Sequence, residues 1–90
     1  MAKKPANTKE KKHLERVASL GCLVCGQESN VHHIRAGQGT AMRASHYLTI
    51  PLCREHHQGD FSIHNSKREF ENIYGSELDL LADTIQRLNY

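Results

Sequence analysis

"HYLTIPLCREHHQGD", residues 46–60, decides the fold that we predict for this chain. Its first half is rich in β-branched and aromatic residues, which favour a strand, and Pro51 is expected at the end of that strand because proline cannot donate to a ladder. The "REHHQGD" that follows fits one short helical turn stopped by Gly59. Cys53 and His56 lie at this junction with two residues between them, a spacing typical of two ligands that share one metal ion.

A second pair with the same spacing lies upstream, in "CLVCG", a tight turn that presents the thiols of Cys22 and Cys25. The two pairs together supply three sulfurs and one nitrogen, the donor set of a closed, tetrahedral structural zinc site. His57 is an alternative to His56 as the fourth ligand, since either imidazole is within reach of Cys53. The sequence therefore predicts a structural zinc ion.

The size and composition of the chain support a metal as the stabilising element. Ninety residues bury a small core, and three cysteines and seven histidines are an unusual share of metal-binding side chains. The chain has no apolar run long enough to span a membrane and no signal peptide at its start, so we expect a soluble, intracellular protein with reduced thiols.

Apolar spacing predicts a helix before the first cysteine pair, capped by Thr8, with Leu14, Val17 and Leu20 facing inward and Gly21 just past its end. Residues 29–36 are predicted to form a strand and residues 37–45 a loop.

Two helices are predicted after the loop that contains His64. The first begins with a capping box at residues 66–69 and packs through Phe70, Ile73 and Tyr74. The second begins at Ser76 and carries an apolar stripe made of Leu78, Leu81, Ile85 and Leu88.

Four histidines remain once the zinc ligands are assigned: His32, His33, His57 and His64. The zinc would join the start of the first strand to the end of the second, and so bring His32 and His33 near His57. Neighbouring side chains on a strand point to opposite sides, which suits a division of labour in which one histidine holds a metal and the other activates a water. Phosphodiester hydrolysis needs a base and a metal on opposite sides of the phosphorus.

Charge is unevenly distributed along the chain. Residues 1–16 contain six Lys or Arg against two Glu, and residues 69–90 contain five acidic residues against Arg87. The basic segment suits an arm that binds nucleic acid through its phosphates, and a solvated tail is the alternative. Arg35 and Arg43 flank the glycine-rich loop and are candidates for binding phosphate.

The order of these motifs, Cys-x-x-Cys, "HHIR", "IPLCREHH" and then His64, resembles that of the HNH endonucleases, which have a ββα-metal fold. More narrowly, "VHHIRAGQGTAMRASHYLTIPLCREHHQGDFSIH", residues 31–64, is similar to the recombination-enhancement-function nucleases of bacteriophages and their small relatives. The resemblance covers residues 22 to about 75.

The resemblance implies a role for each of the four histidines. His33 would be the general base, and His32, His57 and His64 would bind a catalytic Mg²⁺, Mn²⁺ or Zn²⁺ separate from the structural zinc. It implies cleavage of DNA to 5′-phosphate and 3′-hydroxyl ends.

The resemblance also implies the architecture and the setting. We expect an α+β, zinc-stapled ββα-metal (HNH, or His-Me finger) domain over residues 17–90, with N-terminal and C-terminal helices. A basic N-terminal arm that leads into a helix is expected over residues 1–16. The protein would be encoded by a phage or prophage and act in the bacterial cytoplasm. Besides DNA, a recombinase filament or another DNA-processing protein is the expected partner, with no membrane partner.

One departure from the HNH pattern concerns its middle asparagine. The middle asparagine has no counterpart before "LTIPLC", which leaves Ser45, His46 or a backbone carbonyl to orient His33. Two other functions stay open: a non-catalytic zinc-binding module that holds DNA or RNA, and a structural protein that interacts through its acidic C-terminal helix.

Overall fold

The computed structural model describes residues 5–39 and 44–89. In these ranges the chain forms α1 (Thr8–Ser19), β1 (Asn30–His33), β2 (Thr49–Leu52), α2 (Arg54–Gln58), α3 (Lys67–Tyr74) and α4 (Glu77–Leu88). The predicted small mixed α and β architecture is confirmed. The expected boundary between residues 16 and 17 falls inside α1. No helix in the described ranges is long and apolar enough to cross a membrane.

The two strands form an antiparallel ribbon in which His33 lies opposite Thr49. All four residues of β2 are buried. Pro51 is the third of these four residues and pairs with Val31, so it lies inside the strand and not at its end. Its carbonyl accepts a hydrogen bond from the backbone N–H of Leu23 at 3.1 Å. This bond attaches the turn between Cys22 and Cys25 to the sheet.

Helix α1 begins one residue earlier than predicted, because Asn7 is its cap and not Thr8. The Asn7 side chain accepts from the backbone N–H of Glu10 at 2.8 Å, and the Glu10 carboxylate accepts from the backbone N–H of Asn7 at 2.9 Å. Of the three apolar residues expected to face inward, only Val17 is fully buried, and His13, one turn earlier, is buried with it.

Helix α3 has no side-chain cap, so the predicted capping box is wrong. The hydroxyl of Ser66 donates to the carbonyl of Asp60 at 2.8 Å and is not directed at the helix. Phe70 is fully buried, whereas Ile73 is 65 % exposed. Gly75 ends the helix with a φ of 108°, a conformation that favours glycine.

Helix α4 begins at the predicted cap, since the Ser76 hydroxyl accepts from the backbone N–H of Asp79 at 3.1 Å. The helix is rotated relative to the predicted stripe, and Leu78 and Ile85 are exposed. Its buried residues are Glu77, Leu80, Leu81, Thr84 and Leu88. The two polar members of this face are satisfied internally, which is why they can be buried.

The core lies where α1 and α4 pack against β2. The main hydrophobic cluster draws on β2, α3, α4 and the connecting segments, and its members are Cys22, Ile34, Ala44, Ile50, Leu52, Cys53, Ile63, Phe70, Leu80 and Leu81. Two of the three cysteines therefore belong to the core, which makes the metal-binding group part of the packing that holds the domain together.

Candidate metal centres

The first cysteine pair lies in a tight turn that follows α1. The backbone N–H of Gly26 donates to the carbonyl of Cys22 at 2.8 Å, and the N–H of Val24 donates to the Cys22 sulfur at 3.4 Å. Gly21 precedes the turn with a φ of 80°, and a Cβ there would lie 3.0 Å from the Gly26 carbonyl oxygen. Glycine is therefore required where the chain leaves α1 and enters the turn.

The second pair lies where β2 passes into α2. Cys53 is the residue before α2, and His56 Nδ1 lies 3.1 Å from its sulfur and 3.8 Å from the Cys22 sulfur. The sulfurs of Cys25 and Cys53 are 3.7 Å apart. All four ligand atoms lie within 4.8 Å of one another, and His56, not His57, belongs to this group.

The donor set and the distances fit a tetrahedral zinc ion. Zinc–sulfur bonds of about 2.3 Å place two sulfurs about 3.8 Å apart on a tetrahedron, close to the separation of the Cys25 and Cys53 sulfurs. Burial by itself would raise the pKa of the Cys22 thiol. Hydrogen bonds from the backbone N–H groups of Cys53, Cys25 and Val24 outweigh burial and hold that pKa below its ordinary value. We refer to Cys22, Cys25, Cys53 and His56 as the cysteine cluster.

A second group of metal-binding side chains is formed by three of the remaining histidines. His57 Nε2 lies 3.1 Å from His32 Nδ1 and 3.0 Å from His64 Nε2. The three ligand atoms lie within 4.8 Å of one another. They come from β1, from α2 and from the turn before α3. We refer to His32, His57 and His64 as the histidine cluster.

The histidine cluster is suited to hold an ion with open positions. With metal–nitrogen bonds of about 2.1 Å, ligand nitrogens at angles of 90–109° lie about 3.0–3.4 Å apart, which matches the two measured contacts. Burial lowers the pKa of His57 to about 4, with further lowering from His32 and His64. Its imidazole is therefore neutral near pH 7, the form that donates a lone pair to a metal.

Glu77, the first residue of α4, lies behind the histidine cluster and was not predicted from the sequence. Its Oε2 is 2.7 Å from His32 Nε2, and its Oε1 accepts from the backbone N–H groups of Arg35 at 2.9 Å and Ala36 at 2.8 Å. Burial by itself would raise the pKa of this carboxyl, but hydrogen bonds from His32, Arg35 and Ala36 hold it below its ordinary value. The carboxylate is therefore ionised in the core.

His32 itself stays neutral beside this carboxylate. Burial lowers its pKa, and the hydrogen bond and charge of Glu77 oppose that lowering without reversing it. The contact is therefore a neutral imidazole that donates to a carboxylate. The sequence did not indicate Glu77 as the partner of His32, because a glutamate in the first turn of a helix, next to a capping serine, is ordinarily exposed to solvent. The contact exists because α4 is rotated so that Glu77 faces the core.

His33, the next residue of β1, is half-buried and lies outside the histidine cluster. Its Nε2 is 2.9 Å from Nδ1 of His46. Of the three orienting groups that the sequence left open, His46 is therefore one that contacts His33.

Of the two arginines predicted to bind phosphate, the structure describes Arg35 but not Arg43. The Arg35 side chain is exposed, with Nη2 3.4 Å from the carbonyl of Gly39. Arg43 lies outside the described residues.

Comparison with known proteins gives a family but no activity. Residues 1–88 match a family described as proteins of unknown function, DUF968. The uncharacterized protein YdfU of Escherichia coli strain K12 is 36 % identical over 81 residues, which covers 87 % of this chain and 22 % of that protein. The chain thus spans about a fifth of the length of the curated relative that it matches.

Proposed function

The chain belongs to the DUF968 family, and we propose that it is a metal-dependent endonuclease of the HNH class that hydrolyses phosphodiester bonds in DNA. The observation that carries the proposal is the histidine cluster together with His33, which directly follows His32 in β1. Three imidazole nitrogens converge at one point, and the next residue of the same strand carries a fourth imidazole outside that group. Binding to nucleic acid alone would not require a potential base beside a set of metal ligands.

The order of elements agrees with a ββα-metal fold. Strands β1 and β2 pair antiparallel, and α2 follows directly. The ligands of the histidine cluster come from the first strand, from the helix and from the segment after it. The cysteine cluster holds the end of β2 and the start of α2, so a structural zinc there would fix the position of His57.

The proposed division of labour assigns a separate task to each group. An ion held by His32, His57 and His64 would neutralise charge on the phosphate and stabilise the departing oxygen. His33 accepts the proton of the attacking water, and its hydrogen bond to His46 fixes the orientation of the ring. Arg35, exposed at the start of the glycine-rich loop, binds a neighbouring phosphate.

Exposed basic side chains support DNA as the substrate. Lys9, Lys11 and Lys12 are exposed on α1, and they continue the basic composition of the first residues. Contacts of lysine with phosphates add affinity without reading bases. We therefore expect little sequence preference from the isolated domain. A phage or host DNA-processing protein, such as a recombinase filament, would supply specificity.

The test is nicking of supercoiled plasmid by protein stripped of metal, reconstituted with zinc and then supplied with magnesium or manganese. We expect metal-dependent nicking, reduced by a factor of about 10²–10⁴ in His33→Ala because a positioned general base contributes that much. Gln86→Ala, an exposed substitution on α4, is the control and should nick like the wild type. Unchanged nicking in His33→Ala would overturn the mechanism.

The same experiment decides between the enzyme and a binding module. Protein of confirmed zinc content and fold that binds DNA but cleaves neither duplex nor single strands would be a zinc-binding nucleic-acid-binding module. The exposed lysines of α1 are compatible with that alternative as well, because they would contact phosphates in either case.

A further inference from the structure

Glu77 is a carboxylate that is buried in the interior of the fold. Its side chain is 2 % exposed and lies at the first position of α4. Removing a carboxylate from water is costly unless hydrogen bonds replace the lost solvation. Here three donors meet the two oxygens: His32 Nε2 at Oε2, and the backbone N–H groups of Arg35 and Ala36 at Oε1. The ammonium group of Lys67 lies 3.9 Å from Oε1.

The chemistry of this contact determines which nitrogen of His32 carries the proton. An ionised carboxylate can only accept hydrogen bonds, so the contact of 2.7 Å requires a proton on His32 Nε2. A neutral imidazole has one N–H, and His32 Nδ1 therefore keeps its lone pair. That same Nδ1 is the atom that faces His57 Nε2 at 3.1 Å, inside the histidine cluster.

We propose that Glu77 is a positioning residue that selects the tautomer of His32, so that Nδ1 is presented as a metal ligand. This inference rests on the proposed metal site of the histidine cluster. In metal-binding proteins a carboxylate that accepts from the second nitrogen of a ligand histidine fixes both the tautomer and the plane of the ring. Oε1 of the same side chain holds the backbone at the start of the loop after β1.

A purely structural role for Glu77 makes a different prediction. If the side chain only satisfied its neighbours, glutamine would replace it without loss. The amide oxygen of the substituted side chain would accept from Arg35 and Ala36, and its NH₂ would donate to His32. All the hydrogen bonds would remain, but the one to His32 would run in the opposite direction. His32 Nε2 would then be the acceptor and Nδ1 would carry the proton, which removes the lone pair that a metal needs.

The experiment compares Glu77→Gln with Glu69→Gln, which makes the same chemical change at an exposed position of α3. Two properties are measured on protein with zinc in the cysteine cluster: ¹⁵N chemical shifts of the histidine side chains, and Mn²⁺ affinity from the electron paramagnetic resonance of free manganese. We expect Glu77→Gln to place the His32 proton on Nδ1 and to weaken Mn²⁺ binding about 10–100-fold. Glu69→Gln should match the wild type in both properties.

The outcomes separate this inference from the proposed function. Wild-type manganese affinity in Glu77→Gln, or a proton on His32 Nδ1 in the wild type, would overturn the role of Glu77 and leave the nuclease proposal standing. A wild-type protein whose histidine cluster binds none of manganese, magnesium and zinc would overturn both. If Glu77→Gln does not fold, the spectrum of the wild type decides, because it reports the tautomer of His32 without any substitution.

Discussion

The cysteine cluster and the histidine cluster differ in how their ligands reach one point. The cysteine cluster takes four ligands from two short segments, each with two residues between its ligands. The histidine cluster takes three ligands from three segments, and a residue of a fourth segment, Glu77, supports one of them. Close spacing in the sequence brings the ligands of the cysteine cluster together in pairs, whereas the residues of the histidine cluster meet only when distant segments pack in the folded protein.

The two clusters also differ in burial and in the number of ligands. Cys22 and Cys53 are buried in the hydrophobic core, and four ligands complete a tetrahedron. In the histidine cluster His32 is buried but His64 is exposed, and three ligands leave positions open on an ion. A closed set of ligands is typical of a structural metal site and an open set of a catalytic one. The comparison therefore predicts that substitutions in the first cluster act on folding and those in the second on ion binding.

The largest effect is expected from Cys53→Ser. A structural zinc ion contributes about 10–16 kcal/mol of binding free energy in small zinc domains, which is as large as the whole free energy of unfolding of a typical domain, about 5–15 kcal/mol. We expect the variant to lose zinc and to lose its helical circular dichroism at 25 °C. A soluble and fully folded Cys53→Ser protein would contradict the prediction that the cysteine cluster acts on folding and the histidine cluster on ion binding.

A smaller effect is expected within the histidine cluster, where His32→Ala and His64→Ala should both abolish binding of the second ion but differ in stability. His32→Ala removes the donor to the buried Glu77 carboxylate and should lower the free energy of unfolding by about 1–3 kcal/mol. His64 is exposed, so His64→Ala should change it by less than about 0.5 kcal/mol.

Urea unfolding of the two variants, with zinc in the cysteine cluster and no second ion, measures this difference. Equal stabilities would show that the contact between His32 and Glu77 does not stabilise the fold.

The smallest effect is expected from Ser76→Ala, which removes the cap of α4 next to Glu77. The backbone N–H of Asp79 would lose its acceptor, which costs about 0.5–2 kcal/mol in urea unfolding. Gln86→Ala is the control, because Gln86 is exposed on the same helix and does not cap its first turn. A larger loss in the control than in Ser76→Ala would mean that the cap does not hold α4 in place.

The features that were predicted from the sequence are those that local chemistry determines. The spacing of the cysteine cluster, the stop of α2 at Gly59 and the cap at Ser76 each depend on a few neighbouring residues. Asn7 replaced Thr8 as the cap of α1 because both residues can accept from the first turn, and the acceptor position differs by one residue. The reciprocal bond from the Asn7 backbone N–H to the Glu10 carboxylate favours Asn7, because the residue three positions after Thr8 is Lys11, which cannot accept such a bond.

The features that were missed depend on contacts between distant segments. The rotation of α4 buries Glu77 and exposes Leu78, because a carboxylate with three donors can replace an apolar residue in the core. None of the donors to Glu77 lies within 40 residues of it in the sequence. No pattern of neighbouring residues indicates contacts over such a distance in the sequence. A glutamate in the first turn also stabilises an exposed helix, so its position alone does not predict burial.

Helix α2 places His56 and His57 side by side, one in each cluster. Any ion that orders this five-residue helix for one cluster also orders it for the other. If both clusters bind metal as proposed, the two binding equilibria are thermodynamically linked through this helix, and reciprocity requires each ion to change the affinity for the other by the same factor. The protein would respond to two metals cooperatively, so that scarcity of zinc would suppress occupancy of the histidine cluster even where its own metal is abundant.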